Sequence, residues 1–220
     1  MGRGSSKAGG DGPSLGGGSG KKINVLDQQD VWSYRHRQGN EPFVDAINGS
    51  IRDVQDDFPG LMNDVEKVNS AKLSGADADS VLGFYSEDDK SVSMNENYTN
   101  INKMNAVYDA AVESGYHPSR GNKNGTQAVT YHEVGHALTD HVGKKMGAAS
   151  LDDAAKQIVD NAYKNSKGKG GTKAWAGKIS GYAQENNAEC IAEAVCDWYC
   201  NGNKAASQSK AIMTELKKWR

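Results

Sequence analysis

Hydrophobic positions recur along the chain at two spacings, and the changes of spacing divide it into elements. Phe43, Val44, Ile47, Ile51, Val54 and Phe58 return every three or four residues, which predicts a helix from Pro42 that Pro59-Gly60 ends. Leu61, Val65 and Val68 continue that spacing and predict a second, shorter helix over 61–73. The period then drops to two. Val81 to Tyr85 and Ser91 to Met94 flank the charged turn Ser86 to Lys90, the pattern of a β-hairpin. Helical spacing returns over 102–114, with Met104, Val107, Tyr108 and Ala111 on one side and Gly115 as the stop. Residues 116–125 read as a loop, and 21–40 carry no period that assigns them.

Two later helical stretches hold the residues that can do chemistry. In the first, Ala128, Val129, Val134, Ala137, Leu138 and Val142 mark a buried face and Thr126 is placed to cap the start. Inside it, His132-Glu133-Val134-Gly135-His136 forms H-E-x-x-H. Helix residues four apart lie one above the other, so His132 and His136 can share one metal ion. Glu133, beside them, can act on a metal-bound water as general base.

A catalytic zinc takes three protein ligands and leaves one position open. The longer form of the motif, with a third histidine, is absent, because Thr139 and Val142 stand where its glycine and histidine would be. His141 is one residue out of register and reads as a surface side chain, while His36 and His117 are isolated. A carboxylate is therefore the natural third donor. The second stretch offers two: Ala188, Ile191, Ala192, Val195 and Tyr199 make an apolar stripe, Asn186 or Asn187 caps it, and Glu189 and Glu193 lie at its edge. An unpaired carboxylate is costly there, so the pair asks for a cation, and on this reading either acid can be the ligand. Asp140 and Asp197 are weaker outer candidates.

Composition and charge narrow the class. The chain is 36% hydrophobic and 25% charged, but 9 of its 26 glycines fall in the first 20 residues, so 1–22 reads as a disordered Gly/Ser-rich tail and 23–220 as a single domain. No apolar run reaches the length of a bilayer span or of a secretory signal, which points to a soluble protein. A net charge of −2 argues against a nucleic-acid partner. The charge is uneven: 45–113 hold 14 acidic against 5 basic residues, and 144–178 hold 8 lysines against 3 aspartates. That lysine- and glycine-rich stretch reads as a surface or cleft-side excursion. Cys190, Cys196 and Cys200, odd in number and without C-x-x-C spacing, suit small core positions in a reducing compartment better than disulfides or a thiolate metal site.

The H-E-x-G-H motif followed some fifty residues later by G-Y-x-x-x-N-x-x-E-x-x-A-E-A resembles the glutamate-zincin metallopeptidases, most closely the catalytic domain of anthrax lethal factor and its relatives. The resemblance covers two islands. It implies an α+β, zincin-like fold, rich in helix, with a small antiparallel sheet or hairpin and an active-site helix carrying the motif. It implies Zn2+ held by His132, His136 and Glu189, with Glu193 supporting the site, Tyr182 assisting the transition state, and a protein or peptide as substrate. The opening Met-Gly-Arg-Gly-Ser-Ser also resembles the start of many phage and prophage-encoded proteins of Gram-positive bacteria, which implies a bacterial cytoplasmic or phage-associated setting. The competing expectation is a non-catalytic zinc-binding phage structural or assembly protein on the same scaffold.

Overall fold

The computed structural model describes residues 14–16, 25–30 and 42–220. The described strands are β1 (Ser14–Gly16), β2 (Val25–Asp30), β3 (Lys67–Leu73), β4 (Val81–Ser86) and β5 (Ser91–Asn95). The helices are α1 (Pro42–Asp57), α2 (Asp77–Ser80), α3 (Ile101–Glu113), α4 (Gly125–Met146), α5 (Leu151–Asn165), α6 (Thr172–Ala176), α7 (Asn187–Asn201) and α8 (Ser207–Leu216). Helix therefore dominates, with one small sheet, an α+β arrangement. The expected disordered tail lies outside the described residues except for β1, and so does His36.

The sheet runs in the order β1-β4-β5-β3-β2 and is mixed, which corrects the expected antiparallel arrangement. The hairpin of β4 and β5 is antiparallel as expected, from Gly83 opposite Met94 to Ser86 opposite Ser91. β3, however, lies parallel to β5, with Lys67 opposite Ser91 and Ala71 opposite Asn95. The expected helix over 61–73 is instead a short 3-10 turn, Leu61–Asn63, followed by that strand. Residues 68–71 are buried in succession because β3 sits inside the sheet with both faces covered, so no alternation of apolar and polar side chains marks it.

Helix α4 is the axis of the molecule. It packs on α1, α3, α5 and α7 and on the sheet, and it is buried without a break from Ala128 to Gly143, on every side rather than on one face. Its start is set by Asn124, not Thr126: the Asn124 side chain accepts from the Gln127 backbone N–H, and the Gln127 side chain accepts from that of Asn124. Its end is set by Gly147, whose φ of 72° is a left-handed conformation open to glycine.

The lysine-rich stretch 144–178 is no surface excursion. It contains α5, which buries Leu151, Ala154, Ala155, Ile158, Val159 and Ala162 against α4, α7 and α8 while its lysines stay outside. Alanines at helical spacing form a core face that a count of charges conceals. Cys190 and Cys196 are buried, Cys200 is half-buried, and all three are free thiols. Among the described residues, no helix is long and apolar enough to cross a membrane.

Candidate metal centre

The site forms where α4 crosses α7, and a glycine sets how closely they approach. A Cβ at Gly135 would lie 2.8 Å from the Ala192 Cα and 3.2 Å from the Val195 Cβ, closer than side-chain carbons pack. With no side chain at 135, the two helices meet at Ala192. This brings His132 and His136 opposite Glu189 and Glu193, two pairs at i, i+4 facing each other across the contact. The start of α7 is fixed by Asn186, whose side chain accepts from the Glu189 N–H at 2.9 Å.

Three donor atoms converge. His132 Nε2 lies 3.1 Å and His136 Nε2 3.4 Å from Glu189 Oε2, and the two Nε2 atoms are 3.2 Å apart. A metal bonded tetrahedrally at about 2.0–2.1 Å holds its donors roughly 3.3 Å from one another. The three separations are thus those of one face of a coordination tetrahedron. Neither Glu189 oxygen has a hydrogen bond of good alignment in spite of these short distances, so the buried carboxylate is left short of well-aligned donors. All three side chains are buried, and the group can hold a metal ion.

The electrostatics show that the pocket wants positive charge. Burial works against the charged form of His132, but the Glu189 and Glu193 carboxylates outweigh it and push the imidazole up to about 10. Burial likewise tends to raise Glu193, but His117 and His132 hold it down at about 2. Glu189 is lowered too, because His136 and His132 overcome its desolvation. In the metal-free protein, the proton held on His132 supplies positive charge that a bound cation would otherwise bring.

Glu193 points to the other side of His132. It takes the His132 Nδ1 hydrogen bond at 2.8 Å, the Ser180 Oγ hydroxyl at 2.6 Å, and His117 Nδ1 at 3.2 Å from both of its oxygens. Glu189, not Glu193, stands with the two Nε2 atoms. His117, expected to be isolated, is buried against this carboxylate, its ring stacked on Tyr108 at 5.5 Å and edge-on to Tyr116 and Tyr182. Neither His117 nor Ser180 lies in a periodic stretch, so only the tertiary fold reveals them.

The other expected residues divide. Glu133 is buried on α4, and its negative charge is among those that raise His132. Tyr182 is fully buried, with its ring nearly parallel to that of His132 at 5.7 Å and stacked on Tyr116 at 5.0 Å. Asp140 and Asp197 do not join the site. Asp140 takes Lys90 and Tyr85, and Asp197 accepts from Asn201, the Ala206 N–H and Ser209 around the start of α8. His141, expected at the surface, is only 5% exposed and pairs through Nδ1 with Asp64. No protein-family model, curated protein or solved structure matches the chain.

Proposed function

We propose that the protein is a zinc-dependent endopeptidase of the glutamate-zincin type, hydrolysing peptide bonds in a protein or peptide substrate. The observation that carries this reading is the buried triangle of His132 Nε2, His136 Nε2 and Glu189 Oε2 on the helix that also carries Glu133. Two imidazoles and one carboxylate suit zinc, and three protein donors leave the fourth position open for chemistry. A zinc ion held there supplies Lewis acidity, lowering the pKa of water to about 7 and polarising a carbonyl.

The chain's own residues do the rest. Glu133 accepts the proton of the attacking water and returns it to the leaving amine, so it acts first as base and then as acid. The Tyr182 hydroxyl donates to the oxygen that gains charge as the carbonyl is attacked, a contact of the kind worth about 3 kcal/mol. Glu193 holds His132 by Nδ1 so that Nε2 presents its lone pair. The competing reading, a non-catalytic zinc-binding assembly protein on this scaffold, gives Glu133 no task, since a structural site needs no general base. The phage or prophage setting suggested by the first six residues is compatible with either reading.

The test is Glu133→Gln in the zinc-loaded protein, assayed on a peptide library with and without chelator. Turnover is expected to fall by about 10²–10⁴-fold at unchanged zinc content. Undiminished cleavage by the variant would reject the mechanism.

A further inference from the structure

We propose that His117, acting with Ser180, is a positioning residue that fixes the Glu193 carboxylate and, through it, the tautomer and ring angle of His132. The proposal rests on the reading of His132 as a metal ligand. A histidine that ligates through Nε2 must carry its proton on Nδ1, and the partner of that N–H sets both the tautomer and the tilt of the ring. Here that partner is Glu193, which is fully buried and has two oxygens to satisfy. Oε1 takes the His132 hydrogen bond, Oε2 takes the Ser180 hydroxyl, and His117 Nδ1 bridges both at 3.2 Å.

A carboxylate only accepts, so His117 must be a donor at Nδ1. Its Nε2 is buried with no hydrogen-bond partner. A phenylalanine would keep the stack on Tyr108 without the free-energy cost of that bare nitrogen, so packing alone does not account for a histidine here. The imidazole is there for its Nδ1–H.

The fold delivers the two donors as one unit. The Gly181 N–H donates to the Gly115 carbonyl at 2.8 Å and the Tyr182 N–H to the Tyr116 carbonyl at 3.0 Å, stitching the segment before His117 to the segment after Ser180. Gly181 permits this approach, since a Cβ there would lie 3.2 Å from the Gly115 carbonyl oxygen. The clamp on Glu193 is therefore built from two loops distant in sequence, and Tyr182 shares its backbone anchorage.

The experiment compares His117→Phe, His117→Asn and Ser180→Ala in the full chain by two readouts. One is zinc affinity by competition with a chromophoric chelator; the other is the His132 Nδ1–H proton seen by nitrogen-edited NMR. His117→Phe is expected to weaken zinc binding by about 10–100-fold and to shift the His132 signal. His117→Asn, whose amide nitrogen falls near the position of Nδ1, is expected to restore most of the affinity. Ser180→Ala, which leaves the aromatic packing untouched, is expected to move both readouts in the same direction as His117→Phe. Wild-type zinc affinity and an unmoved His132 signal in both His117→Phe and Ser180→Ala would overturn the proposal, as would an Asn variant no better than Phe. Were the wild-type protein to bind no zinc, the metal reading would fall on that result alone. The clamp would still be read in the metal-free protein, where an unmoved His132 proton in His117→Phe overturns it.

Discussion

Helix α4 carries histidines against acidic side chains at two places, and lysine separates the two surroundings. Toward its C-terminal end, His141 pairs with Asp64 at 2.5 Å, Lys144 reaches Asp64 at 2.7 Å and Asp140 at 3.4 Å, and Lys90 reaches Asp140 at 2.9 Å. Each carboxylate there already has an ammonium ion, and the Lys144 side chain is 46% exposed. At the crossing with α7, the ion pairs described for Glu189 and Glu193 are all with histidines, and every partner is buried. A histidine beside a carboxylate is thus not in itself a metal site. It becomes a candidate for one where, among the described residues, no lysine or arginine pairs with the carboxylates and three donor atoms converge on one point.

Removing one histidine from each place separates the two surroundings by the largest effect. His136→Ala is expected to abolish stoichiometric zinc binding, while His141→Ala retains one zinc per chain and loses only stability. Metal analysis after gel filtration checks both, and zinc loss in the His141 variant would erase the distinction.

The second contrast lies in pH. Glu193 is held at about 2, below its unfolded value, so its contribution is present above about 4.5 and is lost as the pH falls through 2. It is on the order of 3 kcal/mol at most. His132 is raised to about 10, so its contribution is complete below about 6.5 and is lost as the pH rises through 10. The metal-free protein is therefore expected to be most stable between about pH 4.5 and 6.5, read as the urea midpoint in chelator. Saturating zinc replaces the His132 proton and should remove the alkaline loss. Asp64 is also lowered, its desolvation outweighed by Lys144 and His141, and it is partly exposed, so its acid loss should be the smaller.

Gly135→Ala forces a methyl group into the α4–α7 contact and is expected to cost about 1–3 kcal/mol and to weaken zinc by spreading Glu189 from the histidines. Thermal unfolding and chelator competition read the two effects. The smallest effect is Lys144→Ala, with up to about 1 kcal/mol of stability lost in urea and zinc affinity unchanged.

The sequence exposed those features whose signal is local. The H-E-x-x-H spacing, the hairpin of β4 and β5 and the stripe of α7 follow from periods of two or 3.6, and the Asn186 cap from residue type, while the cap of α4 falls on Asn124 rather than Thr126. What it concealed depends on distant partners. β3 shows no alternation because it lies inside the sheet, with Val68 buried in the main core and Ala71 and Leu73 in a second cluster. α5 hides its apolar face in a lysine-rich stretch, since half of that face is alanine. His141 is buried although one residue out of the metal register, and its partner there is Asp64, 77 residues away in sequence. His117 sits in a loop where no period could mark it, and its role follows from the backbone pairing of 115–116 with 181–182.

The metal centre is tested most directly by X-ray absorption at the zinc edge on the purified chain, paired with the same spectrum of Glu189→Ala. One zinc per chain with two imidazole nitrogens and a carboxylate oxygen at about 2.0–2.1 Å, and loss of that oxygen in the variant, is the expected result. Zinc bound through thiolate sulfur, or a spectrum unchanged by Glu189→Ala, would contradict the site described here.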